Sequence, residues 1–164
     1  MSSKMENLED LYEDLLKDLY SAEKQEVKAL PKMAEGAVSP DLQKAFEEHL
    51  KQTTHHVERI EDIFAGLGET PRGKMCVGME GLIEEENEIL QEDAEPIVTD
   101  AGLIAVAQKV EHYEIASYGT ARAWAEKLGY DDAAHLLQET LDEETMENEK
   151  LTQIAESHVN MEAR

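Results

Sequence analysis

Four long stretches of the chain repeat apolar residues at intervals of three or four, and Gly or Pro residues separate them. This spacing places the apolar side chains on one face of a helix. Helix one is predicted from Leu8 to Ala34, with a stop near Gly36, and Pro31 is expected to bend or shorten its end. No stretch alternates apolar and polar residues as a strand does, so the sequence predicts an all-α protein.

Capping residues set the expected limits of the next two helices. Ser39 before Pro40 marks the start of helix two, which is expected to end at Gly66. A shorter segment from Met75 to Glu92 contains two glycines and ends before Pro96. We interpret this segment as a crossover helix that lies outside the main bundle.

The second half of the chain predicts two more long helices. Thr99 or Asp100 is expected to cap helix four, which ends at Leu128, and Asp131 is expected to cap helix five, which runs to about His158. Four long helices with one short helix between the pairs predict two antiparallel hairpins joined by a crossover. That layout is a ferritin-like four-helix bundle in a single domain, residues 1–164.

Carboxylates interrupt the apolar stripes of the predicted helices. At 100° per residue, Glu114 falls at the centre of the helix-four stripe, and Glu111 lies about 60° to one side. Glu23 holds the same position in helix one, and Glu144 holds it in helix five, with Glu147 to one side. An unpaired ion in an apolar interior is strongly destabilising, so these carboxylates need partners.

Helix two has histidines near the matching position. Thr53 is at the centre of its stripe, and His49 and His56 lie about 40° and 60° to one side. Each long helix therefore carries a polar residue near its middle on the core face. Several carboxylates in one core repel each other unless cations neutralise them, and two metal ions held by Glu and His are the known solution in a bundle.

Composition narrows the partners of the protein. The chain has 164 residues, with 15 Lys and Arg against 38 Asp and Glu, which gives a net charge of −23. This charge opposes binding to nucleic acids and to anionic membranes. We find no apolar run long enough for a membrane helix and no signal-peptide pattern, so we expect a cytoplasmic protein. The single cysteine, Cys76, leaves His, Asp and Glu as the metal ligands.

Five segments match a known family in order and spacing. They are LYSAEKQ at 19–25, HLKQTTHHVERI at 49–60, KMCVGMEGLIEEENE at 74–88, AQKVEHYEIASYGT at 107–120 and LLQETLDEE at 136–144. On these segments the chain resembles the YciE/YciF-type ferritin-like stress proteins along nearly its whole length. The resemblance implies a five-helix ferritin-like fold, commonly a homodimer, a dinuclear iron or manganese centre, induction under stress and a ferroxidase activity.

The resemblance also implies a set of ligands. Its carboxylates are Glu23, Glu111, Glu114 and Glu144. Helix two departs from the family, because Lys51 stands where an acid is usual, so the ligand there is His49, His56 or neither. Asn148 stands where Asp is frequent in the family. The predicted metal site therefore comprises these four carboxylates with His49 and His56, and no catalytic residue beyond the ligands is predicted.

Three functions are weighed for this site. The first is oxidation of paired Fe(II) ions by O2 or H2O2, and the second is dismutation of H2O2 by two manganese ions. The third is a non-catalytic dimeric stress protein whose metal site is degenerate, because helix two departs from the family at Lys51.

Other polar residues receive structural interpretations. His55 and His112 fall on the outer faces of their helices and are expected on the surface. The run Glu84–Glu86 is interpreted as a solvated face, and Cys76 as a packing or dimer-contact residue. Tyr118 is assigned to the edge of the core, with a hydrogen bond to a ligand carboxylate as the alternative.

Overall fold

The structure is a computed structural model that describes residues 4–164. Its main helices are α1 (Leu8–Gly36), α2 (Pro40–Leu67), α3 (Val77–Gln91), α4 (Pro96–Leu128) and α5 (Asp131–Ile154). A π-helical turn, Ala155–Val159, and a short α6, Asn160–Glu162, follow α5. No strand occurs among residues 4–164, and the all-α prediction is confirmed.

The four long helices form two hairpins that pack side by side. Short connections join α1 to α2 and α4 to α5, and each pair packs along its length. The hairpins meet where α1 contacts α4 and α2 contacts α5. The crossover helix α3 lies against α1 and α4. The predicted arrangement of two hairpins and a short crossover helix is therefore confirmed.

Local sequence signals set several helix ends. The Ser39 side chain accepts a hydrogen bond from the Leu42 amide, and Pro40 is the first residue of α2. Gly68 and Gly129 follow α2 and α4 with φ angles of 70° and 82°. Glycine adopts this left-handed conformation without the steric penalty of a Cβ atom, so both helices stop there.

Helix α4 begins earlier than its sequence predicts. Its first residue is Pro96, which suits the first turn because proline lacks an amide hydrogen. Neither Thr99 nor Asp100 caps it. Asp100 instead accepts hydrogen bonds from the amides of Val38, at 2.9 Å, and Ser39, at 2.7 Å. Its carboxylate thus fixes the connection between α1 and α2.

Three smaller differences concern other helix ends. Helix α1 continues through Pro31 to Gly36 and is not shortened there. Helix α3 begins at Val77, because Cys76 acts as its cap and its sulfur accepts from the Met79 amide. In α5, Tyr130 occupies the cap position that was predicted for Asp131.

Most of the apolar core lies in two layers, and a smaller third cluster contains Ala22, Cys76, Met79 and Val110. One layer contains Tyr12, Leu16, Leu19, Ile60, Phe64, Tyr118 and Leu137. The other contains Leu30, Met33, Leu42, Phe46, Leu103, Ile104 and Leu151. Full burial of each large apolar side chain contributes roughly 1.5–3 kcal/mol. These layers enclose a layer of buried polar side chains at mid-bundle, in which the candidate site lies.

No helix within residues 4–164 is both long enough and apolar enough to span a bilayer.

Candidate metal centre

One acidic or imidazole side chain from each long helix meets at the middle of the bundle. Glu23 of α1, His56 of α2, Glu114 of α4 and Glu144 of α5 each place a ligand atom within 4.8 Å of the others. All four side chains are buried. His56 Nδ1 lies 2.8 Å from Glu144 Oε1 and 3.4 Å from Glu23 Oε1. These four residues are termed the four-donor group.

A second group lies about one helical turn away along the bundle. Glu26, His49 and Glu111 place ligand atoms within 4.8 Å of one another and are termed the three-donor group. His49 Nε2 lies 3.2 Å from Glu26 Oε1 and 3.1 Å from Glu111 Oε1. The same nitrogen lies 3.6 Å from Glu144 Oε2. Glu144 therefore adjoins both groups.

Helical spacing explains why two groups form. Glu23 and Glu26 are three residues apart on α1, and Glu111 and Glu114 have the same spacing on α4. Residues at this spacing share a helix face on successive turns. Each of these helices consequently supplies one carboxylate to each group.

The structure brings together all six residues that the sequence singled out. Glu23, His56, Glu114 and Glu144 lie in one group, and His49 and Glu111 lie in the other. Both helix-two histidines reach the centre, whereas the Thr53 hydroxyl donates to the His49 carbonyl, at 2.9 Å. Sequence reasoning missed Glu26, although its distance of three residues from Glu23 repeats the spacing of Glu111 and Glu114.

The remaining histidines of helices two and four lie on the surface. His55 is exposed and pairs with Glu58, at 2.9 Å. His112 is also exposed, and its Nδ1 lies 2.8 Å from the Gln108 carbonyl oxygen. The prediction that both side chains lie on outer faces is confirmed.

Tyr118 belongs to the edge of the site. Its buried hydroxyl donates a hydrogen bond to Glu23 Oε1. Its ring also meets the His56 ring edge to face, with centroids 6.3 Å apart. The alternative interpretation is thus confirmed for the hydrogen bond itself, which reaches a carboxylate that the sequence predicts as a ligand.

Many oxygen atoms of the two groups have no hydrogen-bond partner. Among residues 4–164, these buried atoms include Glu23 Oε2, Glu26 Oε2, Glu111 Oε2 and both carboxylate oxygens of Glu114. The two Glu144 oxygens instead lie 2.8 Å from His56 Nδ1 and 3.6 Å from His49 Nε2. Burying such acceptors without partners is unfavourable. A divalent cation satisfies several of them at once, and carboxylate with imidazole is a donor set that iron and manganese accept. The residues therefore fit metal ions.

The charges of the site shift the pKa values of its members. Burial raises the pKa of Glu23 to about 7, and the positive charge of His56 partly opposes this. Burial and the charge of Glu144 likewise hold the pKa values of Glu111 and Glu114 well above the usual range. Without cations, these carboxyl groups therefore keep their protons to a higher pH than an exposed glutamate does.

The pKa values of Glu144 and the two histidines shift in the direction that favours the charged forms of these groups. Burial opposes ionisation of Glu144, but contact with Glu111 and the positive charges of His49 and His56 hold its pKa below the usual range. Burial also lowers the pKa values of the histidines, and the charges of the surrounding glutamates outweigh this and raise them. Metal binding must therefore displace protons from the site.

Each histidine has a partner on the ring nitrogen that faces away from the centre. His56 Nε2 lies 3.0 Å from Glu143 Oε2, and Arg59 donates to the other oxygen of Glu143, at 2.6 Å. His49 Nδ1 lies 3.2 Å from the Gln52 side-chain oxygen. Such contacts fix the ring orientation and the nitrogen that faces a metal. His56 therefore presents Nδ1 to the site, and His49 presents Nε2.

An enclosed cavity adjoins the three-donor group. It has about 10 Å³ of free volume, and Glu26, His49 and Glu111 form part of its wall. Glu86 of α3 and Glu147 of α5 complete the acidic part of the wall. Each of these two residues is only 2% exposed.

Glu86 corrects one sequence interpretation. The run Glu84–Glu86 was expected to be a solvated face, and this is wrong for Glu86, which is buried. Met79 and Ile83 lie seven and three residues before Glu86, and Leu90 lies four residues after it. Glu86 therefore shares the apolar face of α3, which packs on the bundle.

Comparison with known proteins places the chain in a family. The family model described as "Domain of unknown function (DUF892)" matches residues 7–164. The chain belongs to the DUF892 family. Among curated DUF892 relatives, protein YciF of Escherichia coli (strain K12) is 49% identical over 160 residues, which are 97% of this chain and 96% of the relative. The predicted membership of the YciF-type stress proteins is confirmed.

Solved structures give the same result. The crystal structure of the E. coli stress protein YciF is similar to this chain with a TM-score of 0.92 and 48% identity, and covers 95% of this chain and 99% of its own. A protein from Rhodopseudomonas palustris has a TM-score of 0.91 and 45% identity, covering 94% and 99%. The DUF892 fold is thus common to both relatives and to this protein.

A more distant structure confirms the fold class. Ferritin-like, diiron-carboxylate proteins from Bacillus anthracis str. Ames match with a TM-score of 0.71 and 16% identity, covering 92% of this chain and 99% of theirs. At this identity the likeness shows the fold alone. The DUF892 chain is a ferritin-like helical protein, as its sequence predicts.

The two departures from the family pattern lie away from the ligand atoms. Lys51 is exposed on the surface of α2. Asn148 of α5 is half-buried, and its side-chain oxygen accepts a hydrogen bond from Gln108 Nε2, at 3.3 Å. In this DUF892 protein both groups of donors therefore form although Lys51 and Asn148 stand where the family usually has acids.

Proposed function

We propose that the protein binds two Fe(II) ions, one at each group of donors, and oxidises them with O2 or H2O2. The observation that carries this proposal is the set of buried carboxylate oxygens without partners. The four-donor group has three carboxylates, and the three-donor group has two. Two Fe(II) ions bring four positive charges to these five carboxylates and leave a net charge of −1, and oxidation of both ions to Fe(III) changes it to +1, so the set stays close to neutral in both states.

In this proposal Fe(II) is the substrate, and the side chains bind and orient it. Two Fe(II) ions give up one electron each, and H2O2 accepts both electrons with two protons and leaves as two water molecules. The two protons for that step come from the solvent. Glu144 adjoins both groups, so we assign it a shared position between the two ions.

The orientation of the histidines supports the same assignment. Arg59 and Glu143 hold the outer nitrogen of His56, so its Nδ1 is directed to the four-donor group. Tyr118 holds one oxygen of Glu23 and leaves the other without a partner. A binding site that is already oriented loses less entropy when an ion enters.

Iron oxidation by the purified protein tests the proposal. Metal-free protein is loaded anaerobically with Fe(II), and the absorbance of Fe(III) is followed after addition of O2 or H2O2. We expect faster oxidation than in buffer and loss of this acceleration in Glu114→Ala. Glu126→Ala changes an exposed acid on the same helix and serves as the control. Oxidation at the buffer rate, or an unchanged rate in Glu114→Ala, refutes ferroxidase activity.

Two other outcomes identify the alternative functions. Manganese in the protein as isolated, together with O2 evolution from H2O2, identifies a di-manganese centre that dismutates peroxide. A melting temperature that neither Fe(II) nor Mn(II) changes identifies a non-catalytic protein, because a ligand at about 100 times its Kd stabilises the folded state by about 2.7 kcal/mol.

The family resemblance also implies a homodimer, which we retain as a proposal. Light scattering coupled to size-exclusion chromatography gives the mass in solution. A mass of twice 18.4 kDa supports the dimer.

A further inference from the structure

Two buried carboxylates near the centre belong to neither group of donors. Glu86 of α3 and Glu147 of α5 line the cavity beside the three-donor group, and Glu26 of that group lines it as well. Glu86 and Glu147 are each 2% exposed. Buried carboxylates require a hydrogen-bond donor or a cation.

Each of these three carboxylates keeps an oxygen atom without a hydrogen-bond partner. The atoms are Glu26 Oε2, Glu86 Oε1 and Glu147 Oε1. They come from three different helices, so their approach to one cavity is a product of the tertiary fold. The cavity has about 10 Å³ of free volume. A volume of roughly 10–15 Å³ is what one water molecule needs, and a divalent ion is smaller than that.

The ammonium group of Lys150 lies at the outer end of this acidic wall. Lys150 Nζ lies 3.6 Å from Glu147 Oε2 and 3.1 Å from Glu48 Oε2. The Lys150 side chain is 42% exposed, whereas that of Glu147 is 2% exposed. Glu147 thus extends from a surface ammonium group to the cavity, and the acidic wall continues inward to the three-donor group.

We propose that Glu26, Glu86 and Glu147 form a third cation site, which holds a divalent ion beside the three-donor group. This third site rests on the proposed function, because its role is to take up the ion that enters or leaves the three-donor group. Among residues 4–164, the three carboxylates do not converge as closely as the two groups of donors do. The third ion therefore has fewer close ligands and binds more weakly than the other two.

A titration with Mn(II) tests the site without any need for activity. The electron paramagnetic resonance signal of free Mn(II) gives the number of ions bound per chain. We expect three ions in wild-type protein, the third binding most weakly, and two in Glu86→Gln. Glu84→Gln changes an exposed acid two residues away on the same helix and is expected to retain three. Glu147→Gln provides a second variant on a different helix, with the same expected loss.

Anomalous scattering from crystals soaked in Mn(II) locates each ion, so ions bound at surface acids are not counted. A peak in the cavity that Glu86→Gln removes, while two peaks at the centre persist, supports the third site. Two peaks at the centre without a cavity peak in wild-type protein overturn the third site alone. A cavity peak that persists in both variants overturns the assignment of its ligands. Absence of every peak from the bundle overturns the proposed function and the third site together.

Discussion

His56 Nε2 lies 3.0 Å from Glu143 Oε2, at the edge of the four-donor group. Burial opposes ionisation of Glu143, but hydrogen bonds with His56 and Arg59 lower its pKa to about 2. Glu143 is therefore ionised at neutral pH, and its carboxylate holds a proton on Nε2 of His56. The other ring nitrogen, Nδ1, faces Glu144 at 2.8 Å and becomes a metal ligand when it loses its own proton.

Replacing Glu143 is expected to weaken metal binding. In Glu143→Gln the amide accepts from His56 without a negative charge, so the imidazole becomes a weaker and less well-oriented ligand. Loss of such a partner lowers metal affinity roughly 10-fold to 100-fold. Isothermal titration with Mn(II) measures this change.

The control for Glu143→Gln is a neighbouring acid that touches Arg59 but not His56. Glu139 lies 3.5 Å from Arg59 Nε and is partly exposed. We expect Glu139→Gln to bind Mn(II) as wild-type protein does. Equal affinities for both variants would show that the contact between Glu143 and His56 has no role in metal binding.

The variant Glu114→Gln is expected to make the metal-free protein more stable and to abolish its stabilisation by Mn(II). Both oxygens of Glu114 are buried without a partner, and burial with the charge of Glu144 raises its pKa well above the usual range. In EDTA, Glu114→Gln should increase the free energy of unfolding by about 1–2 kcal/mol, because a neutral amide replaces a buried acid. The increase in melting temperature with Mn(II) should be lost. Urea denaturation measures the free energy of unfolding and thermal denaturation measures the melting temperature, with Glu126→Gln as the exposed control. A less stable metal-free variant contradicts the expectation.

Helical periodicity predicts the parts of the site that one helix determines. Glu23, Glu114 and Glu144 each lie at the centre of an apolar stripe, and that position alone requires burial. The histidines of α2 lie off the centre of their stripe, so periodicity could not decide between them. The structure places both rings at the centre, where carboxylates from three other helices group with His56 and carboxylates from two group with His49.

Glu86 and Asp100 were assigned wrongly from the sequence because their positions depend on contacts between helices. Glu86 is one of three consecutive glutamates, and its burial depends on the face of α3 that packs against α1 and α4. Asp100 has the sequence features of a helix cap, but it accepts hydrogen bonds from the start of a different helix. Local sequence does not specify such tertiary contacts.

Glu86 is expected to make stability depend on pH in the metal-free protein. Burial and the charge of Glu26 raise the pKa of Glu86 from 4.5 to about 7. Between these values the folded protein holds a proton that the unfolded chain releases, so stability falls as pH rises.

The variant Glu86→Gln removes this dependence, because the amide does not titrate. Its free energy of unfolding relative to wild-type protein should rise by up to about 3 kcal/mol between about pH 4 and about pH 8. Urea denaturation in EDTA across this range measures the difference, and Glu84→Gln should show none of comparable size. Parallel pH curves for Glu86→Gln and wild-type protein would exclude a raised pKa for Glu86.

Two glycines of α3 provide a matched test of how this helix is seated. Alanine at either position favours the helical conformation by about 1 kcal/mol. At Gly81 no atom lies within 4 Å of the added Cβ, so Gly81→Ala should stabilise the protein by about this amount. At Gly78 the Cβ would lie 2.6 Å from Cε2 of the Tyr113 ring. The Tyr113 hydroxyl donates to Asp18, at 3.0 Å, and lies 3.1 Å from the Cys76 sulfur, so the ring cannot move without losing these contacts.

Gly78→Ala is therefore expected to lower the free energy of unfolding by about 1–3 kcal/mol, which is the usual range for overpacking. Urea denaturation of both variants in EDTA gives the two values with opposite signs. Equal stabilisation by both alanines would mean that α3 does not pack on Tyr113 as described. Because Glu86 lies on this same helix, a displaced α3 should also weaken the third Mn(II) site in Gly78→Ala and leave it unchanged in Gly81→Ala.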